Sequence, residues 1–406
     1  MARSIRRSPC SRPGAGRQSV NIVHVVRQYP PGIGGVENFA SLLAEGQVER
    51  GHRVRVVTLD RIFSSDMDKL PREEKRNGVE IKRVPYLGLK KYPIAPSILN
   101  RLDGADLVHV HGIDFAADYL ALTKIFHKRP MVISTHGGIF HTDFAKNLKK
   151  IWFNTITRSS MAAYSTIIAS SIQDGEIFER IAPGRVEIVE NAVDVEKFRG
   201  LANSCAKQMI YFGRLAPNKG LPRLIRWFSH CAKTDAEWKL VIAGKEMGMR
   251  VMDLQEIAHA HGVGGRIQFV AEPSNSDLAE LIAGSSVYAA ASTFEGFGLA
   301  AVEAASAGLF PLLSDIAPFR RTVSRLQLGK IHDFDGQEIE SFLSAWTAFC
   351  NAPPPTERLR AVLTPFDWTA LQVRMDEIYE SVTKAEVACE RHQSGANAVL
   401  GNPYDH

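Results

Sequence analysis

The stretch Ser292-Thr293-Phe294-Glu295-Gly296-Phe297-Gly298-Leu299-Ala300-Ala301-Val302-Glu303-Ala304-Ala305-Ser306-Ala307-Gly308 decides the fold. Ahead of it, Ser286-Val287-Tyr288-Ala289-Ala290-Ala291 is short, apolar and strand-like. Behind the glycines, Leu299 to Ala307 is rich in alanine and holds no Gly or Pro until Gly308, which predicts a helix. Strand, glycine turn and helix form one unit of an α/β sheet. The turn aims free backbone N–H groups and the positive end of a helix at one spot, where an anion fits. Glu295, in the turn, and Glu303, roughly one turn into the helix, would repel phosphate. They suit hydroxyl groups, whose O–H donors a carboxylate accepts. A ligand bearing both phosphates and sugar hydroxyls would use the whole set. The plainer reading is a structural unit with Glu303 solvated.

The same pattern recurs outward along the chain. Met209 to Phe212 predicts a strand, Gly213-Arg214-Leu215-Ala216-Pro217-Asn218-Lys219-Gly220 a turn, and the residues through Phe228 a helix. A guanidinium and an ammonium in one loop suit a diphosphate. Strands are also expected at Lys239 to Gly244, Arg266 to Val270 and Leu312 to Asp315.

The first half begins with the apolar strand Asn21 to Arg27 and the turn Tyr29-Pro30-Pro31-Gly32-Ile33-Gly34-Gly35, followed by a helix from Val36 to Arg50. Gly34 and Gly35 suit a close approach to a phosphate or sugar. A plain tight turn competes with that reading. The spacing is not G-x-G-x-x-G, which argues against a dinucleotide oxidoreductase. Further strands are expected at 53–59, 79–84, 105–111, 131–135, 164–170 and 186–189, with a helix at 118–126. His109 and His111 end one strand and share a face. His136 follows another, beside Gly137 and Gly138. Polar residues at strand ends line the crevice of an open α/β sheet. No carboxylate or cysteine stands at ligand spacing from these histidines, so no metal is expected.

Residues 139–160 carry Phe144, Leu148, Ile151, Trp152 and Ile156 at helical spacing, flanked by Lys146, Lys149, Lys150 and Arg158. Such a helix lies in a membrane interface or packs on its own domain. The basic, aromatic run Lys90-Lys91-Tyr92-Pro93-Ile94-Ala95-Pro96 favours the interface.

The chain of 406 residues is 45% hydrophobic and 23% charged, with a formal charge of +5. That fits two soluble domains and weakly favours an anionic partner. The five cysteines are scattered, which argues for a reduced compartment and against a zinc or disulfide framework. No apolar run is long enough to span a membrane. Arg3, Arg6, Arg7, Arg12 and Arg17, with no acid, predict a disordered basic tail over 1–19. The expected organisation is an N-terminal domain at 20–200, a linker at Gly200 to Lys207, a C-terminal domain at 201–365, a helix over 366–385 that rejoins the first domain, and a disordered tail over 386–406.

The pair Glu295 and Glu303 inside EGFGLAAVEA, together with GRLAPNKG and GIGGVEN, resembles the retaining glycosyltransferases of family four, over about residues 21–385. HVVRQYPPGIGG, KKYPIAPSIL, HVHGIDF, STHGGIFHTDFAK, KKIWFNTITR and EGFGLAAVEAASAGLFPLLSDIAPF resemble more narrowly the mannosyltransferases of xanthan and acetan assembly. The resemblance implies the GT-B fold, two facing Rossmann-like domains with a ligand cleft. It implies a GDP-mannose donor, retention, an α-1,3 linkage, and an acceptor disaccharide, cellobiosyl, on polyprenyl diphosphate. No cofactor or metal is implied, and no nucleic acid. The location implied is peripheral, on the cytoplasmic face of the inner membrane.

Residue by residue, the resemblance places Glu295 at the donor sugar, Glu303 at the ribose, and Arg214 and Lys219 at the diphosphate. It places Phe297, Gly298 and Leu299 at the turn whose backbone meets sugar and phosphate, and His136 near the sugar's hydroxymethyl group. Glu295, His136, Arg214 and Lys219 form the expected catalytic set, and Gly34 and Gly35 complete the donor contacts. His111, Lys146, Lys149, Lys150 and Trp152 are assigned to the acceptor and the membrane. The residues also admit another nucleotide hexose, such as a UDP-sugar on a different lipid-linked glycan, and a binding module without turnover.

Overall fold

The structure is a computed structural model. It describes residues 19–32, 34–63, 69–90, 92–137, 151–203 and 205–399, with side chains through Glu386. The chain divides into two compact units, residues 1–189 with 372–406, and residues 190–371.

The first unit contains β1 (Asn21–Val26), β2 (Arg53–Leu59), β3 (Glu73–Arg76), β4 (Val79–Val84), β5 (Leu87–Leu89), β6 (Tyr92–Ile94), β7 (Leu107–His111), β8 (Met131–Ser134), β9 (Thr166–Ala169) and β10 (Val186–Ile188). Eight of these form one sheet in the order β10-β9-β8-β7-β1-β2-β4-β3. All pairs are parallel except β3 with β4. The central strands are mostly apolar because both faces are covered, with His24, His109 and His111 as buried exceptions. One face packs Val23, Val25, Val108, Val110, Ile133 and Ile167. The other packs Val26, Val54, Val56 and Ile81 against Ala40 and Ala44, which lie on the helix Gly35–Glu49. Edge strand β3 reads Glu-Glu-Lys-Arg and is exposed throughout, a composition that discourages pairing with another chain.

The second unit holds β11 (Gln208–Phe212), β12 (Lys239–Gly244), β13 (Ile267–Ala271), β14 (Val287–Ala290), β15 (Phe310–Ser314) and β16 (Lys330–His332). Their order is β13-β12-β11-β14-β15-β16, parallel throughout. Strand order reverses between β11 and β14, so the loops after those two strands flank the crevice where such sheets bind ligands. One face buries Trp227, Phe228, Trp238 and Phe342. On the other face Ala301, Ala304 and Ala307 seat the helix Leu299–Ala307 close to the sheet.

Several boundaries differ from the expected ones. The first unit ends at Val189, and the small-polar run expected as a linker belongs to the second. There Gly200 N donates to Ser306 O, Ala202 N to Ala307 O and Asn203 N to Ser285 O. The last helix, expected to stop near 385, runs from Trp368 to Val399. The basic tail expected at 1–19 lies outside the described residues apart from Ser19, as does the chain beyond Val399. The helix expected at 118–126 starts at Phe115, because Asp114 caps it by accepting from Ala116 N. It pauses at Thr123, whose hydroxyl donates back to Tyr119 O at 2.8 Å.

Candidate active site

In the second unit, the loop after β11 and the turn after β14 are bound to each other. Asn218 Nδ2 donates to Phe294 O at 3.0 Å, and Thr293 N donates to Asn218 O at 2.9 Å. Gly220 has φ of +63°, and a Cβ there would lie 2.1 Å from Ala291 O. Glycine is what permits this approach. The contact brings Lys219 Nζ to both carboxylate oxygens of Glu295, at 2.6 and 2.8 Å. Ser292 Oγ adds a donor to Oε1 at 2.8 Å. Each side chain of the pair is 13% exposed, so the two charges are largely screened from water. In this arrangement Glu295 fixes the position of the Lys219 ammonium by two charge-assisted hydrogen bonds.

Arg214 stands on the same loop. Its carbonyl accepts from Tyr211 Oη at 2.8 Å. Its side chain is exposed and makes no ion pair among the described residues. Gly298 caps the helix Leu299–Ala307 with φ of +79°, and a Cβ there would lie 2.7 Å from the Phe319 ring. Phe297 sets its ring 5.9 Å from Phe366, and Leu299 is the helix's first residue. Glu303 sits on the second turn of that helix. Burial pushes its carboxyl up, Lys197 opposes the rise and Asp194 adds to it.

In the first unit, Gly34 precedes the helix Gly35–Glu49, whose N-terminus has no side-chain cap. Its first amides are therefore left for another partner. His136 follows β8 with φ of +53°, and Gly137 after it has φ of +69°. Phe39 meets its ring edge-on at 5.0 Å, and the His111 ring lies beside it, nearly coplanar, with centroids 5.3 Å apart.

His136 is one end of a buried polar chain. Its Nε2 lies 3.0 Å from His111 Nδ1. His111 Nε2 lies 2.9 Å from His24 Nδ1, and His24 Nε2 lies 2.7 Å from Gln47 Oε1. Gln47 Nε2 donates to Tyr379 Oη at 3.2 Å. Tyr379 Oη lies 2.6 Å from His109 Nδ1, and His109 Nε2 lies 2.7 Å from Ser134 Oγ. Burial pushes His24 and His136 down to about 4, and His109 and His111 well below the usual histidine range. The four rings are neutral at physiological pH.

His111, expected at the acceptor, is buried with both ring nitrogens engaged inside the protein. Its place is behind His136. Ligand atoms of His24, His109 and His111 lie within 4.8 Å of one another, close enough for a metal ion. Every ring nitrogen of the three already has a hydrogen-bond partner, and an ion would have to break several of these bonds. His24, Gln47 and Tyr379 were missed by sequence reasoning. A histidine centred in the apolar strand Asn21–Val26, in register with His109, was the available signal. Gln47 and Tyr379 are 332 residues apart and offered none.

Lys146, Lys149 and Lys150 lie outside the described residues. Trp152 is exposed, as are Ile151 and Ile156. The core side of their segment is Phe153, Thr157, Ser160 and Met161. The Trp152 ring meets Tyr92 of β6 at 6.2 Å. The hairpin β5–β6 also exposes Leu87, Leu89 and Ile94, and Leu122, Ile125 and Phe126 are exposed nearby in sequence to the Asp118 that Tyr92 binds. No helix among the described residues is long and apolar enough to cross a membrane.

The profile "Glycosyltransferase Family 4" matches residues 33–197, and "Glycosyl transferases group 1" matches residues 193–349. Among solved structures, sucrose-phosphate synthase from Thermosynechococcus elongatus superposes with a TM-score of 0.67 at 16% identity, over 90% of this chain and 100% of that one. Anabaena HepE, solved with UDP and glucose, gives 0.66 at 17% identity, over 89% and 100%. The two Rossmann-like units have the GT-B fold of these structures, and the two family matches make the chain a glycosyltransferase. The Xanthomonas campestris protein named GDP-mannose:cellobiosyl-diphosphopolyprenol alpha-mannosyltransferase is 41% identical over 368 residues, 89% of this chain and 97% of that protein. The protein of that name from Komagataeibacter xylinus is 35% identical, over 90% and 94%. The chain belongs to this family of mannosyltransferases.

Proposed function

We propose that this chain transfers mannose from GDP-mannose to a cellobiosyl unit on polyprenyl diphosphate, with retention and an α-1,3 linkage, in assembly of an exopolysaccharide repeat unit. The observation that supports it most is the Lys219–Glu295 pair at the β11/β14 crevice, in a chain whose relatives are named GDP-mannose:cellobiosyl-diphosphopolyprenol alpha-mannosyltransferases. Lys219 and Arg214 neutralise the diphosphate as it leaves, helped by the N-terminus of the helix Leu299–Ala307. Phe297, Gly298 and Leu299 present backbone to the sugar and phosphate. Glu295 accepts from sugar hydroxyls and Glu303 from the ribose. In the first unit, His136, Gly34 and Gly35 meet the transferred sugar.

The acceptor is a membrane lipid. The exposed Trp152, Ile151, Leu87 and Leu89, with Lys146, Lys149 and Lys150, dock the first unit on the anionic cytoplasmic face of the inner membrane. Titration of the protein with GDP, UDP and ADP in a thermal-shift assay tests the donor. GDP should raise the melting temperature most, and a larger response to UDP would overturn the donor assignment.

A further inference from the structure

The polar chain behind His136 has a direction. The oxygen of Gln47 can only accept, so His24 carries its hydrogen on Nε2, 2.7 Å away. A neutral imidazole has one N–H, so His24 Nδ1 is bare and accepts from His111 Nε2. His111 Nδ1 is bare in turn and accepts from His136 Nε2. His136 Nδ1 is left with a lone pair, and no described residue bonds to it.

Bond lengths on the other side of Gln47 agree. Hydroxyl donors make shorter bonds than amide donors. The 2.6 Å contact from Tyr379 Oη to His109 Nδ1 suits a donating phenol. The 3.2 Å contact from Gln47 Nε2 suits an amide donating to that phenol. Turning the Gln47 amide over would exchange these roles and reverse every bond in the chain. The hydrogen would then stand on His136 Nδ1.

We infer that Gln47, His24 and His111 are positioning residues that hold His136 as its Nε2–H tautomer, so that Nδ1 accepts a hydrogen bond from a hydroxyl of the transferred sugar. Gln47 is suited to the task because an amide, unlike an imidazole, does not exchange its donor and acceptor ends by passing a proton. The rings are held as well as the protons. The Phe39 ring, edge-on to His136, and the hydrogen bond with His111 restrict the plane of His136. The sugar contact rests on the proposed role of His136, whereas the tautomer does not.

Long-range proton–nitrogen NMR on the full-length, donor-free protein, labelled with nitrogen-15 in histidine, reads the tautomer directly. The His136 signals are those that His136→Asn removes. The expected result at neutral pH is a protonated Nε2 and an unprotonated Nδ1. A protonated Nδ1 would overturn the inference, and this measurement needs no folded variant at Gln47. In Gln47→Met, whose side chain fills similar space without the amide, His136 should show both tautomers. Its kcat for mannosyl transfer should fall roughly tenfold, the size of one hydrogen bond. A single unchanged tautomer in Gln47→Met would also overturn it. The sugar contact is read separately from donor turnover by His136→Asn and His136→Ala. Wild-type turnover by both would remove that contact while leaving the tautomer result standing.

Discussion

Lys219 Nζ sits between the two carboxylate oxygens of Glu295, at 2.6 and 2.8 Å, although 76 residues separate them. Two loops from adjacent strands have to dock for this to happen, and the tie through Asn218 docks them. Lys219→Ala should therefore remove a cation from the leaving diphosphate and leave Glu295 half-buried without its partner. The expected loss in kcat/KM is about 2–4 kcal/mol, measured by release of GDP. Lys219→Arg keeps a cation that can bridge both Glu295 oxygens and should retain more activity than Lys219→Ala. Wild-type turnover in Lys219→Ala would contradict the assignment.

Arg214 provides a cleaner separation of stability from activity. Its side chain is exposed and unpaired among the described residues. Arg214→Ala should change the unfolding free energy by no more than about 0.5 kcal/mol, while kcat/KM falls by about 2–4 kcal/mol. Urea titration beside steady-state kinetics gives both numbers. A loss of stability with intact turnover would reverse the reading.

Glu303 should affect donor affinity more than rate, since a ribose contact is made alike in ground and transition states. Glu303→Ala is expected to raise the KM for GDP-mannose with little change in kcat. An unchanged KM would make Glu303 a structural helix residue.

The histidine chain predicts a pH dependence. His24 and His136 are held down at about 4, against about 6.5 in an unfolded chain. Between those values the unfolded chain binds more protons, so stability rises with pH. The stability is present in full above about 6.5 and drains away towards 4, on the order of a few kcal/mol. Asp114, pushed up to about 6 by burial, acts in the opposite sense. The informative comparison is therefore between the wild type and His24→Asn. The melting temperature of the wild type should fall more steeply between neutral pH and pH about 5; parallel curves would contradict the account.

The surface of the first unit predicts lipid binding. Leu89→Ser with Trp152→Ser should reduce flotation with anionic vesicles, and so should Lys146, Lys149 and Lys150 changed to Glu. Unchanged flotation in both sets would remove the membrane proposal.

The parallel sheets were legible because buried strands are mostly apolar and glycine turns mark their ends. The helix Leu299–Ala307 and strand Lys239–Gly244 stand where the sequence places them. What escaped was set by contacts distant in sequence. The segment at 200–207 reads as a linker by composition, yet its amides are taken by Ser285, Ser306 and Ala307. His111 reads as a crevice residue because it ends a strand, yet His24 and His136 claim both its nitrogens. The apolar stripe Ile151, Trp152 and Ile156 was legible as a stripe. Which side it faces depends on Phe153 finding Phe178 at 5.3 Å in the core, and periodicity does not carry that information.

Mannosyl transfer itself is read by incubating the purified chain with GDP-mannose labelled in the sugar and a cellobiosyl-diphosphopolyprenol acceptor in detergent. Label is expected in the lipid fraction as an α-linked mannosyl trisaccharide, in the wild type and not in Lys219→Ala. Absence of transfer from GDP-mannose, with transfer from UDP-glucose to the same lipid, would contradict the proposed function.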